Sequence, residues 1–185
     1  MEHKICGWVK LNDLQYLDYH NNEWGKPLHN DNALFELFSL ETQSSGLSWL
    51  TVLKKRDGYR KAFKNFSLET VASYTQEDIN RIFESGLIIK SRPKIEAIIN
   101  NAKLFLEIKK EFASLDNYFW SKVNHKTIIN DVLDYKIACT KIEISDLLTK
   151  DLKKRGFKFV GSVTIYAFLQ ACGIVNDHEN NCWCK

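Results

Sequence analysis

Two pairs of soft donors stand near opposite ends of this 185-residue chain. Cys6 is followed by His20, and His178 and Cys182 stand four apart near the far end. Two thiolates and two imidazoles form a complete tetrahedral set for Zn²⁺, with no position left for a substrate or water. If the four meet, one structural zinc ion per chain clips the terminal segments together. The His178/Cys182 spacing suits one turn of helix or loop, whereas the Cys6/His20 spacing says little alone. Taken singly, Cys6 also fits a buried small hydrophobe, and His20 an ordinary surface or core histidine. Cys184 is a competing ligand or a spare thiol.

The remaining thiols, Cys139 and Cys172, sit in apolar surroundings, and the total of five is odd. Residues 1–10 lack the apolar stretch of a secretory leader. These features predict free thiols, a reducing compartment and a cytoplasmic location. The composition is 44% hydrophobic and 12% aromatic, which describes a folded protein, either one domain or two small helical lobes. No apolar run reaches the roughly 18 residues of a membrane span. A net charge of +3 is too small to imply a nucleic-acid partner, so local clusters must carry that case. Three exist: Lys54-Lys55-Arg56, Lys90-Ser91-Arg92-Pro93-Lys94, and Lys153-Lys154-Arg155-Gly156-Phe157-Lys158. Each, alone, also fits a solvated face.

The elements that must position these groups read as helices, and the fold class as all-α. Asp31 can cap a helix with Leu34, Phe35, Leu37, Phe38 and Leu40 at three- and four-residue spacing, ending at Ser44-Ser45-Gly46. Thr75-Gln76-Glu77-Asp78 has the form of a capping box. Ile95, Ile98, Ile99, Ala102 and Leu106 make one apolar stripe. Further helices are predicted around Phe119 to Val123, around Leu147 to Leu152, and from Val163 to Gly173. Two-residue alternation is absent. Residues 124–144 read as a surface excursion.

Residues 76–109 form a helix, a tight turn and a second helix. Gly86 suits a left-handed helix stop, and Pro93 a first helical turn. The second helix then points its amides outward among Lys90, Arg92 and Lys94, an arrangement that binds phosphate. A plain helix pair with a basic connector has the same pattern.

Longer segments carry a resemblance that runs nearly end to end. They are Cys6-Gly7-Trp8-Val9, Tyr19-His20-Asn21-Asn22-Glu23-Trp24-Gly25, Gly46-Leu47-Ser48-Trp49, the stretch from Lys153 to Gly173, and Asn176-Asp177-His178 with Cys182. Together they resemble the DNA-3-methyladenine glycosylase I family, a branch of the helix-hairpin-helix base-excision enzymes. The resemblance implies that Cys6, His20, His178 and Cys182 hold structural zinc. It places Trp8, Tyr16, Tyr19, Glu41 and Trp49 around a base pocket, with Glu41 and Tyr16 catalytic. It makes Leu47 a wedge into the duplex, and Gly86, Lys90 and Arg92 contacts to DNA. The implied partner is double-stranded DNA containing 3-methyladenine, bound by a monomer that leaves an abasic site without cutting the strand. Thr42, Ser44, Ser45 and Pro93 depart from the family's residues; Pro93, having no N–H, removes one phosphate donor. Two other classes fit less well: a zinc-stapled damage binder without excision, and a metallohydrolase, which a closed metal shell disfavours.

Overall fold

The computed structural model describes residues 4–185. Helices α1 (Leu14–Asn22), α2 (Asp31–Ser44), α3 (Trp49–Leu53) and α4 (Arg56–Ala62) lead into α5 (Leu68–Ala72) and α6 (Gln76–Glu84). The long α7 (Arg92–Phe112) and α8 (Leu115–Trp120) follow, then α9 (Glu143–Arg155) and α10 (Ser162–Ala171). Local chemistry sets the ends. Thr75 and Asp78 form the expected capping box on α6. The cap of α2 is Asn30, whose side chain accepts from Ala33 N–H at 3.0 Å. Asp31, expected as the cap, is instead the first helical residue and accepts from Asp116 N–H. Gly173, just past α10, takes φ +73°, and a Cβ there would lie 2.2 Å from the Lys26 carbonyl carbon, so both conformation and space call for glycine.

Helix α2 is the centre of the packing and is buried from Leu34 through Gln43. Phe38 meets Phe105, Phe157 and Phe168 at 4.8, 5.8 and 5.4 Å between ring centroids. A helix enclosed on all sides must find partners for its polar residues. Glu36 has two cations, Arg56 at 2.5 Å and Arg60 at 2.9 Å. Gln43 donates to the Lys94 carbonyl at 3.1 Å and accepts from Tyr59. Ser39 Oγ is left without a partner, and the Glu41 carboxyl has only a long contact to Ser44.

In the basic run Lys54-Lys55-Arg56, the two lysines are exposed and only Arg56 turns inward. Lys54 pairs with Asp13, and the buried Arg56 joins Glu23 to Glu36. In the last basic run, Arg155 is held by Glu111 and Asp151.

The all-α expectation needs one correction. Strand β1 (Ile128–Ile129) pairs in parallel with β2 (Val175–Asn176). Two residues are too few to show alternation in a sequence. The expected excursion around this strand is largely irregular, and backbone bonds fasten it to the C-terminal segment. Val132 N–H reaches Asn180 Oδ1 at 3.0 Å, and Tyr135 N–H reaches Glu179 Oε1 at 2.9 Å. Among the described residues, no helix is long and apolar enough to cross a membrane.

Candidate active site and metal cluster

The ends of α1, α2 and α3 converge with α10 on a cavity of about 300 Å³. Trp8, Tyr16, Tyr19, Glu41 and Trp49, the five residues expected at a base pocket, all line it. Its walls are aromatic and mutually braced: Tyr19 lies 5.3 Å from Trp49, and Trp8 lies 5.1 Å from Tyr16. Burial pushes the Tyr16 and Tyr19 hydroxyls above their ordinary range, and nearby Glu41 adds to the shift. Both phenols are therefore neutral.

Glu41 is only 5% exposed, which excludes a solvated carboxylate at a helix end. Ser44 Oγ is its nearest donor, at a long 3.5 Å, and that hydroxyl also reaches the Glu41 carbonyl at 2.7 Å. Desolvation raises the Glu41 carboxyl from 4.5 to about 8, opposed weakly by Ser44. At neutral pH it is mostly protonated. Asp177, in the same cavity, is the contrasting case. It accepts from the Tyr166 hydroxyl at 2.5 Å, Gln170 Nε2 at 2.6 Å and Asn130 Nδ2 at 2.7 Å. Of the two acids, Glu41 is the one left for a ligand to satisfy.

Beside the cavity, Cys6, His20, His178 and Cys182 come together, all buried, with ligand atoms within 4.8 Å of one another. Cys6 Sγ lies 3.4 Å from His178 Nδ1, and Cys182 Sγ lies 3.5 Å from His20 Nε2 and 3.6 Å from His178 Nδ1. Tetrahedral bonds to sulfur and nitrogen give an S···N edge of about 3.6 Å. The second nitrogen of each ring has an oxygen partner: His20 Nδ1 meets Asn21 Oδ1 at 2.8 Å, and His178 Nε2 meets the Trp24 carbonyl at 3.1 Å. Those bonds leave His20 Nε2 and His178 Nδ1 as lone-pair donors facing the sulfurs. Glu179 N–H donates to Cys6 Sγ, and Cys184 N–H to Cys182 Sγ. Burial holds the His178 imidazole down at about 4, lowers that of His20 as well, and lifts the Cys6 thiol to about 12. Geometry and donor chemistry both fit a metal ion, and Cys184 stands outside the four.

The methyladenine glycosylase family pattern matches residues 8–185. A DNA-3-methyladenine glycosylase of Haemophilus influenzae is 48% identical over 180 residues, covering 97% of each chain. A crystal structure of 3-methyladenine DNA glycosylase I superposes with a TM-score of 0.93 at 44% identity, covering 98% of this chain and 99% of that one. This chain belongs to the methyladenine glycosylase family. A tyrosine-to-phenylalanine variant of 3-methyladenine DNA glycosylase I, solved in complex with 3-methyladenine, has a TM-score of 0.91 at 41% identity and covers 94% of each chain.

Of the remaining site residues expected from the family resemblance, Leu47, Gly86 and Lys90 lie on exposed loops, whereas the half-buried Arg92 opens α7 and donates to Asn80 Oδ1 at 2.8 Å. Leu47, 43% exposed, follows Gly46 between α2 and α3. The turn between α6 and α7 has Gly86 at φ +67° and is pinned by buried Ile88. Its Leu87 carbonyl packs so closely on Gly58 that a Cβ there would sit 2.0 Å away. Lys90 and Arg92 both lie over the Phe83 ring, at 4.7 and 4.9 Å. No side chain caps α7, and Pro93 falls in its first turn. Lys94, expected with the other two cations, instead donates to the Gln43 and Ser45 carbonyls, each at 2.7 Å. Sequence reasoning passed over Trp24, Tyr166, Gln170 and Asp177 as cavity residues. Trp24 and Asp177 stand inside the motifs quoted above, whereas Tyr135 and Thr140 come from the irregular excursion and left no signal.

Proposed function

We propose that this chain is a monomeric DNA-repair glycosylase, one helix-hairpin-helix domain, that flips 3-methyladenine out of duplex DNA and hydrolyses its bond to the sugar. The single observation that carries the reading is an under-partnered, buried Glu41 inside an aromatic-walled cavity. Relatives named for this activity at 48% identity support it.

Methylation at N3 makes the adenine cationic, so cleavage of its bond to the sugar releases a neutral base. The leaving group then needs little acid assistance. The enzyme's tasks are extrusion, recognition and stabilisation of the sugar cation while water attacks. Trp49, Tyr16 and Tyr19 can stack on a flat cation, each contact contributing about 0.5–2 kcal/mol. A cation entering beside Glu41 favours the carboxylate, which then accepts from the exocyclic amine. Ordinary adenine brings no charge to drive that ionisation. The Tyr16 phenol, kept neutral, can donate within the same cavity. Leu47 fills the gap left in the duplex, while Gly86, Lys90 and Arg92 hold phosphate. Lys94, engaged with two carbonyls, is not a free amine for strand cleavage, which supports a hydrolytic, monofunctional reaction.

The Cys₂His₂ set suits one zinc ion per chain. Such an ion would supply cross-linking and no open coordination site, so Cys6, His20, His178 and Cys182 act by joining the terminal segments.

Chromatography of bases released from dimethyl-sulfate-treated DNA tests the reading. Release of 3-methyladenine, intact strands and little 7-methylguanine are expected. 7-Methylguanine, also a cation, favours the Glu41 carboxylate too but presents a carbonyl where adenine presents its amine, leaving that carboxylate an unpaired acceptor at a cost of about 1–3 kcal/mol. DNA binding without any released base would establish the damage-binder reading instead. Comparable release of 7-methylguanine would remove Glu41 from discrimination.

A further inference from the structure

Lys94 lies two residues beyond Arg92 in sequence, yet its ammonium serves the end of another helix. Nζ donates to the Gln43 and Ser45 carbonyls at 2.7 Å each. Gln43, fully buried, returns a bond from Nε2 to the Lys94 carbonyl at 3.1 Å and accepts from the Tyr59 hydroxyl. The last turn of α2 and the first turn of α7 are thus stapled in both directions. A cation is well placed there, because the final carbonyls of a helix carry its negative end.

What the staple holds is informative. Glu41 precedes Gln43 by two residues, and Leu47 follows Ser45 by two. Among the described residues, the other hydrogen bonds of residues 44–48 are local. Leu47 N–H returns to the Ser44 carbonyl, Ser44 Oγ to Glu41, and Ser48 bonds to Thr51. Lys94 therefore ties this loop to the rest of the molecule, and specifically to the helix that begins at the basic turn. Burial and a Ser44 contact account for the Glu41 shift, with no contribution from Lys94. The effect of Lys94 on the acid is one of position.

We propose that Lys94 is a positioning residue that couples duplex docking at the Lys90–Arg92 turn to insertion of Leu47 and presentation of Glu41. This rests on the reading that Leu47 enters DNA during base extrusion. A single ammonium fixes the spacing between the phosphate anchor and the wedge, so a duplex held by one is aligned with the other.

Lys94→Met keeps the length of the side chain and removes its donors, and Lys94→Arg keeps a cation. Extrusion is read with 2-aminopurine beside a tetrahydrofuran abasic-site analogue, which reports unstacking without requiring catalysis. Binding of free 3-methyladenine is read from tryptophan fluorescence. For Lys94→Met, the 2-aminopurine signal should fall and kcat for excision should drop about 100-fold, the cost of a misplacement on the order of 1 Å. Free-base binding and affinity for undamaged duplex should stay within about threefold of wild type, and Lys94→Arg should recover much of the loss. Unchanged unstacking and kcat would overturn the proposal. So would a parallel loss of free-base binding, which would indicate a collapsed cavity. Equal weakening on every duplex with a shallower salt slope would make Lys94 a phosphate contact. Wild-type protein that unstacks the duplex but releases no base would defeat the excision reading alone, leaving the coupling intact.

Discussion

Glu41 should make the free protein less stable as pH rises, and Glu41→Gln should relieve that cost. Burial lifts the carboxyl from 4.5 to about 8, so the folded state holds this proton more tightly than the unfolded chain does. Below about pH 4.5 both states are protonated, and the group has no net effect on stability. Between 4.5 and 8 the unfolded chain releases its proton while the folded protein retains it, so stability falls as pH rises. Above 8 the penalty is complete and constant. At about 1.4 kcal/mol per pH unit it reaches roughly 4–5 kcal/mol. A glutamine has the same shape and does not titrate. Urea unfolding of metal-saturated wild type and variant, from pH 5 to pH 9, isolates the term by difference. The variant's advantage should widen by roughly 3–4 kcal/mol between pH 5 and 8 and then level off. For a chain of this size that corresponds to a gap in Tm of about 10 °C. A gap constant across the range would mean that Glu41 titrates normally and that the cavity is wetter than its burial implies.

The metal cluster should hold one zinc ion per purified chain by elemental analysis. Cys182→Ser should lower both metal content and Tm, whereas Cys184→Ser should leave both unchanged; the reverse pattern would reassign the fourth ligand. Replacing Lys90 and Arg92 with alanine should weaken binding to all duplex sequences alike and lower the salt-dependence slope by roughly 2. Binding measured against salt concentration checks this, and a change that depends on base sequence would show that the turn is not a phosphate anchor.

Much of the helical frame was legible because its signals are local. The capping box at Thr75, the stop after Ser44 and the stripe from Ile95 each depend on residues within a few positions. Five of the residues lining the cavity were named through the family resemblance, Tyr16 and Glu41 by position between the quoted motifs; periodicity alone offered no reason to separate Glu41 from any other helix-end carboxylate. What sequence could not carry was the partner of each polar group. Lys54-Lys55-Arg56 reads as a cationic face, yet Arg56 is buried between Glu23 and Glu36, far from it in sequence. Lys94 reads as part of a phosphate site, yet its ammonium donates to two carbonyls at the end of α2. The β1–β2 pair joins segments about 47 residues apart and leaves no local trace.

An acid kept dry and under-partnered tends to relax, either by drawing in water or by turning toward a cation. The architecture works against both routes. No cation contributes to the Glu41 shift, and those that bond to α2 are committed elsewhere: Arg56 and Arg60 to Glu36, and Lys94 to the carbonyls at its end. The cavity walls are fixed from outside as well. Trp8 follows Cys6 by two residues and packs on Trp24 at 5.0 Å, and the Trp24 carbonyl accepts from His178. Tyr19 immediately precedes His20, and Asp177 immediately precedes His178. Four cavity residues are thus tethered within two positions of a member of the Cys₂His₂ cluster or hydrogen-bonded to one. An ion held by that cluster would stiffen the walls around Glu41, and burial is what raises the Glu41 carboxyl. Under the proposed function such an ion would touch no substrate, yet it would help to keep Glu41 available to a cationic base.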